Sequence, residues 1–311
     1  MKKYCVLLLT SLITLTGCKK PVVENMLKTI CPTGAPSIAF YKHANDSLFE
    51  TNNNVTNITA YLNGASDYDV VVVDTTSGIT ALNAGAKYKI AATITLGNFY
   101  LVSTSVENTT LDKDDVVVLF GNPNAVPYKI FTYLYGTEYK TEFCGGGVDK
   151  AAAVLETGIN LATSHKADWV YVAEPYLYRA KNNEGSIIKG KNVKVINIQE
   201  LYKVKSNNLP LMQASVFIKN TIPSEDGKAY LKDLKNDIES AIKDSSVIGQ
   251  YFTNSPITET KFGCTSTEAI EIMKTNGLGL GFLDCYSNKE AIDSYISLFG
   301  MEKTNEEIYF K

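Results

Sequence analysis

Four short stretches of this chain set hydroxyl, amide and glycine residues between an apolar run and a helical pattern: Cys31-Pro-Thr-Gly-Ala-Pro-Ser37, Asp74-Thr-Thr-Ser-Gly78, Gly121-Asn-Pro-Asn-Ala125 and Glu174-Pro175-Tyr176. The first is the fullest. Pro36 suits the opening turn of a helix, where its missing N–H would be unpaired anyway, and Thr33 or Gly34 can cap that turn. A helix N-terminus of this kind offers N–H groups to an acceptor atom, and in an open α/β sheet it stands at the carboxyl edge, where ligands bind. The same turn also serves as plain punctuation. Glu174 favours a ligand with N–H donors or positive charge, although an acid at a helix start also suits the dipole. Phe99, Tyr100, Tyr128 and Tyr176 can stack on a flat ring or fill ordinary core. Arg179 is the only arginine, so rigid bidentate recognition of a carboxylate or sulfonate has a single source; an ordinary surface position on a helix is the alternative.

Other chemistry finds less footing. The cysteines show no CxxC pair, and His43 and His165 are the only histidines, so no zinc pattern exists and no metal is expected. Glu174, His43 and Cys144 form a catalytic set only if folding brings them together. Gly145-Gly-Gly147 lacks the Lys-Ser or Lys-Thr of a phosphate loop and reads as a turn. The composition, 45% apolar and 20% charged at net charge −3, is that of a globular protein without a nucleic-acid-binding face.

These stretches need elements to hold them. Met1-Lys2-Lys3 followed by the apolar run Cys5 to Leu15 reads as a signal peptide, residues 1–17, too short to span a bilayer. Its end, Leu15-Thr16-Gly17-Cys18, resembles the bacterial lipobox, which implies a lipidated Cys18 and a tether over 18–27. Two acyl chains suffice for stable attachment, so the expected location is the extracytoplasmic face of the cell membrane. Removing the leader, with its two lysines, takes the net charge from −3 to −5. Export permits a Cys264–Cys285 disulfide, with small buried thiols as the alternative.

Strands are then expected at 69–74, 87–95, 97–103, 116–120, 168–173, 193–198 and 212–219, while residues 139–143 lead through the triple glycine into a helix. Asp69-Val-Val-Val-Val-Asp74 suits a strand buried on both faces. Helices are expected at 79–84, 127–135, 149–156 with Asp149 as N-cap, and 225–243. The last sixty residues read as helical, with capping boxes at Thr265–Glu268 and Ser287–Glu290. Two α/β series joined by polar breaks suggest two lobes around a cleft, a preferred place for a small-molecule pocket.

At this point the chain resembles the solute-binding proteins of bacterial ABC importers, in the branch related to sulfonate, taurine, nitrate and thiamine-pyrimidine binders. The resemblance is carried by Pro32-Thr-Gly-Ala-Pro-Ser37, residues 69–77, Leu96-Gly-Asn-Phe-Tyr-Leu-Val-Ser103, residues 121–127 and Ala167-Asp-Trp-Val-Tyr-Val-Ala-Glu-Pro-Tyr176, in the family's order over nearly the whole mature chain. It implies an α/β, two-lobed type II periplasmic-binding fold with a two-strand hinge. Residues 28–103 plus 212–311 would form lobe I and residues 104–211 lobe II. By position in those motifs, ligand contacts would fall on Thr33, Gly34, Ala35, Pro36, Ser37, Thr75, Thr76, Asn98, Phe99, Tyr100, Asn122, Asn124, Glu174 and Tyr176. The implied protein is a monomer without cofactor and not an enzyme, which hands its solute to a permease and its ATPase. Glu174, the aromatics and the scarce arginine favour a nitrogen heterocycle such as a pyrimidine vitamin precursor, with sulfonate, taurine or nitrate anions as the alternative. Fungal pyrimidine-precursor synthases share the fold, but their cysteine-rich iron motif is absent here.

Overall fold

The computed structural model describes residues 26–64 and 66–311. The signal segment, Cys18 and most of the tether lie outside the described residues. The tether's expected end does not hang free: Met26 and Leu27 pack against the first lobe.

The chain opens with β1 (Thr29–Pro32), α1 (Ala35–Ile38), β2 (Phe49–Asn52), α2 (Val55–Asn63), β3 (Val70–Asp74), α3 (Thr75–Asn83) and β4 (Tyr88–Thr95). It crosses over into β5 (Phe99–Ser103), β6 (Val116–Leu119), α4 (Val126–Tyr135), β7 (Lys140–Phe143) and α5 (Val148–Thr157). A small hairpin, β8 (Ile159–Asn160) and β9 (His165–Lys166), leads to β10 (Trp169–Ala173), α6 (Tyr176–Asn182), β11 (Val195–Asn197) and α7 (Ile198–Lys205). It then returns through β12 (Ala214–Lys219), α8 (Ser224–Lys243), α9 (Ile248–Tyr251), α10 (Pro256–Phe262), α11 (Ser266–Met273), β13 (Leu280–Asp284) and α12 (Lys289–Ser297).

These strands form two larger sheets, one in the order β13-β4-β12-β3-β1-β2 and one in the order β11-β5-β10-β6-β7. In each, the strand that arrives from the other lobe runs against its neighbours: β12 is antiparallel to β3 and β4, and β5 to β10 and β11. A strand entering from the seam must point away from it. The carboxyl ends of β3, β4 and β10 therefore meet at the seam, where open α/β sheets bind ligands. The four valines of β3 are fully buried, as a strand covered on both faces requires.

Several expectations are corrected. Pairing of Phe99–Ser103 with β10 and β11 puts β5 in the second lobe, so the expected boundary after residue 103 falls before Phe99. Asp149 lies inside the first turn of α5, whose N-cap is Gly147. The Thr265–Glu268 capping box forms, whereas α12 starts at Lys289 behind Asn288 with no side-chain cap. The last sixty residues include the strand β13. Cys264 and Cys285 are free thiols in separate hydrophobic clusters, so no disulfide joins them.

Candidate functional site

Two chain crossings join the lobes, and amide side chains brace them. Asn98 on the outgoing crossing and Gln213 on the return exchange hydrogen bonds: Gln213 Nε2 donates to Asn98 Oδ1 at 2.7 Å, and the Asn98 N–H donates to Gln213 Oε1 at 3.1 Å. Asn98 Nδ2 also donates to the Glu174 carbonyl at 3.0 Å. Gly279 carries φ +63° against this hinge, and a Cβ there would sit 1.8 Å from the Gly97 carbonyl oxygen. Asn98 thus ties the two crossings of the hinge together.

One rim of the cleft is clasped by charge. From α6 in the second lobe, Arg179 Nε and one terminal nitrogen donate to the two carboxylate oxygens of Glu268, both at 2.8 Å, and that terminal nitrogen also donates to the Gly263 carbonyl at 2.9 Å. Burial pushes the Glu268 carboxyl up, but the Arg179 fork and the Thr265 N–H outweigh it and hold the group below its ordinary value. Beside the clasp, Tyr100 donates to the Gly277 carbonyl across the lobes at 3.0 Å. Glu174 accepts from the Tyr178 N–H at 2.8 Å. Burial raises its carboxyl to about 7, with Glu268 adding to the rise and the Tyr178 N–H and Lys181 opposing it. Arg179 thus ties α6 of the second lobe to the first lobe rather than standing idle on the surface.

The other rim is open and uncharged. A groove of about 450 Å³ is lined by Thr59, Asn63, Thr76, Ser77, Thr80, Ala81 and Ala84 of the first lobe, by Asn124 of the second, and by Phe299 and Met301 beyond α12. No ionisable side chain lines it. Asp74 supports it from behind as the N-cap of α3, accepting from the Ser77 N–H at 2.9 Å and the Thr76 hydroxyl at 2.5 Å. What was expected to be a turn at 74–78 is therefore already helix from Thr75. Gly78 lets this helix press on β12, since a Cβ would lie 2.0 Å from the Phe217 ring.

Between the rims the core is continuous, because one hydrophobic cluster draws residues from both lobes. Two tyrosines in it, Tyr171 of β10 and Tyr295 of α12, have fully buried hydroxyls without a hydrogen-bond partner. Burial first, then Asp74, Tyr202 and Tyr171, push the Tyr295 hydroxyl well above its ordinary pKa, so it stays protonated.

The structure separates the expected site residues. Thr76 and Asn124 line the groove together. Thr75 faces inward and shares a 2.7 Å hydrogen bond with Ser215. In the first turn the N–H groups of Thr33, Gly34 and Ser37 donate to Asn52, Phe262 and Gly34 carbonyls, and Pro36 has none. That cradle is filled by the chain itself, with Gly263 pressed against Gly34. Ala35 is buried there. Asn122 is exposed and holds its own turn by accepting from the Asn124 N–H. Phe99 packs on Phe120 and Tyr171, Tyr128 on Phe143, and Tyr176 lies below the Arg179 guanidinium. Glu174, His43 and Cys144 share no partner, and burial pushes the Cys144 thiol up to about 11. Tyr171, Tyr295, Phe299 and Met301 carry no site signal in the sequence, and Asp74 and Ser77 enter it only as part of the 74–78 turn.

No protein-family model matches the chain, and no curated protein matches it. Solved structures match in fold. An ABC transporter from Parabacteroides distasonis has a TM-score of 0.71 at 16% identity, covering 93% of this chain and 99% of that one. The periplasmic aliphatic sulphonate binding protein SsuA from Escherichia coli has a TM-score of 0.61 at 13% identity, covering 91% and 96%. A Candida albicans gene product described as having the generic periplasmic binding protein fold has a TM-score of 0.51 at 12% identity, covering 91% and 92%. The chain thus has the two-lobed periplasmic-binding-protein fold. The resemblance to ABC-transporter solute-binding proteins holds at that level.

Proposed function

We propose that this protein is the solute-binding component of an ABC importer, capturing an uncharged small molecule between its lobes and delivering it to a permease and ATPase. The observation that carries the reading is the groove joining both lobes with only uncharged side chains on its walls. Its 450 Å³ suits a molecule of one or two rings, and Phe299 with Met301 gives it an apolar side beside hydroxyl and amide groups. We take the ligand to be a nitrogen heterocycle. A sulfonate, the alternative that the name of SsuA suggests, or another small anion such as nitrate meets less favourable chemistry. The single arginine is spent on Glu268, and the helix N-termini at 35, 75 and 176 already face Phe262 O, Asp74 or Glu174. Closure follows from differential affinity: a molecule touching both lobes favours the closed state by that difference alone. The lipobox-like Leu15–Cys18 supports anchoring at the extracytoplasmic face, with the binding unit acting as a monomer. The buried thiols, with Cys264 and Cys285 both raised to about 12, argue for binding rather than nucleophilic catalysis.

The test is to purify the protein without added ligand, denature it, and identify released small molecules by mass spectrometry, with a thermal-shift panel alongside. An uncharged heterocycle should be released or should raise the melting temperature; at a hundredfold excess over its Kd the stabilisation is about 2.7 kcal/mol. Stabilisation by taurine or hexanesulfonate without any by heterocycles would overturn the ligand assignment.

A further inference from the structure

Among the described residues, four buried side-chain oxygens have no hydrogen-bond partner: the hydroxyls of Tyr41, Thr95, Tyr171 and Tyr295. Burying a hydroxyl unpaired is unfavourable, and native proteins do it sparingly. Tyr41 packs on Tyr251 in the first lobe's other hydrophobic cluster, and Thr95 ends β4 at the hinge. Tyr171 and Tyr295 differ from these. They come from opposite lobes, one from β10 and one from α12, and each lies within the other's electrostatic reach.

Their position relative to the groove matters. Phe299, which lines the groove, packs on Tyr295 with ring centroids 5.3 Å apart, so Tyr295 stands directly behind the groove wall. Asp74 caps α3 from the same side. On the far side Tyr171 packs against Phe99 and Phe120 at centroid distances of 5.2 and 6.2 Å. Phe299 therefore stands between the open groove and Tyr295, and Tyr171 lies within electrostatic reach of Tyr295.

We propose that the Tyr171 and Tyr295 hydroxyls are the buried anchors of the solute, donating to two acceptors on an uncharged planar molecule that enters past Phe299. Both groups are O–H donors held protonated by burial, so the complementary ligand presents ring nitrogens or carbonyl oxygens rather than only N–H groups. Rings already pack on the two tyrosines from Phe99, Phe120 and Phe299, which suits a flat ligand between them. In the empty protein the two hydroxyls destabilise the closed seam; a bound solute supplies their partners and so favours closure. The proposal rests on reading the protein as a solute binder.

The experiment uses Tyr171→Phe, Tyr295→Phe and, as control, Tyr41→Phe, each stripped of co-purified ligand. Removing an unpaired buried hydroxyl should raise the melting temperature of each stripped variant by about 2–4 °C. Titration calorimetry with uracil, nicotinamide and 4-amino-5-hydroxymethyl-2-methylpyrimidine should find a probe that the wild type binds. Tyr171→Phe and Tyr295→Phe should each bind that probe roughly three- to tenfold more weakly, while Tyr41→Phe binds it unchanged. A fall in the stripped melting temperature would show that the hydroxyls have partners and overturn the proposal. Unchanged affinity in both seam variants would overturn it while leaving the solute-binding function intact. Binding of taurine or hexanesulfonate with none of the three probes would instead overturn the uncharged-solute reading, and the anchor assignment with it.

Discussion

The two rims of the cleft are built from opposite chemistry. One is closed by a bidentate arginine–carboxylate pair that reaches across the lobes, with a raised glutamate beside it; the other is an open groove without a single ionisable wall. A charge pair is strong only where geometry is fixed and water is partly excluded, so it suits a rim that has to hold. An uncharged wall holds nothing by itself but leaves space and modest hydrogen bonds for a guest. On the proposed function, the difference assigns closure and recognition to separate residues, so that each can be altered alone.

The largest expected effect breaks the clasp. Arg179→Ala strands the Glu268 carboxylate, which is only 18% exposed, and removes three hydrogen bonds. A loss of about 2–3 kcal/mol in urea unfolding is expected, with a larger radius of gyration in solution scattering as the lobes part. Arg179→Lys keeps the charge but not the fork and should recover less than half of the loss. Wild-type stability and dimensions in the alanine variant would mean that the lobes are held elsewhere, and the contrast between rims would fail.

A smaller effect follows from Glu174. Its folded-state pKa of about 7 lies above the ordinary carboxylate value, so the unfolded chain releases the proton first as pH rises. The stability associated with the protonated group is thus complete below about pH 4 and lost as pH climbs through 7. Glu268 has the opposite sign, since its lowered pKa gives stability that is present above the ordinary value and lost in acid. Glu174→Gln should flatten the decline between pH 5 and 8, a change on the order of 2 kcal/mol, and leave the acid limb in place. Urea titrations across that range decide it; an unchanged decline would remove Glu174 as its source.

The sequence carried the fold more fully than the site, for physical reasons. Buried strands advertise themselves by runs such as Val70–Val73, and capping residues such as Thr265 and Glu268 act locally, so both are readable. Asp74 was readable as a strand end, but its role as the cap of α3 converted an expected ligand turn into helix. The turn at 33–37 looked like a cradle because nothing in its own neighbourhood reveals that Phe262, more than two hundred residues later, fills it. The same applies to Arg179, whose partner Glu268 lies 89 positions away. Tyr171 and Tyr295 look like core residues in any window of sequence. Only the pairing of two lobes shows that their hydroxyls lack partners.

The smallest effect sharpens the comparison within a single turn. Asn122 and Asn124 stand two residues apart, both exposed, in a stretch whose composition makes them equivalent. Asn122 holds the turn through its side-chain oxygen and the Asn124 N–H at 2.8 Å, whereas the Asn124 side chain lines the groove. Asn124→Ala should weaken solute binding by roughly threefold, the worth of one exposed hydrogen bond, and change unfolding by less than about 0.5 kcal/mol. Asn122→Ala should do the reverse, loosening the turn that opens α4 by about 0.5–1 kcal/mol while leaving the solute's intrinsic contacts alone. Calorimetric titration and thermal unfolding of the two variants separate the roles. If both lose affinity equally, the whole turn faces the ligand, and the groove reaches further into the second lobe than Asn124 alone.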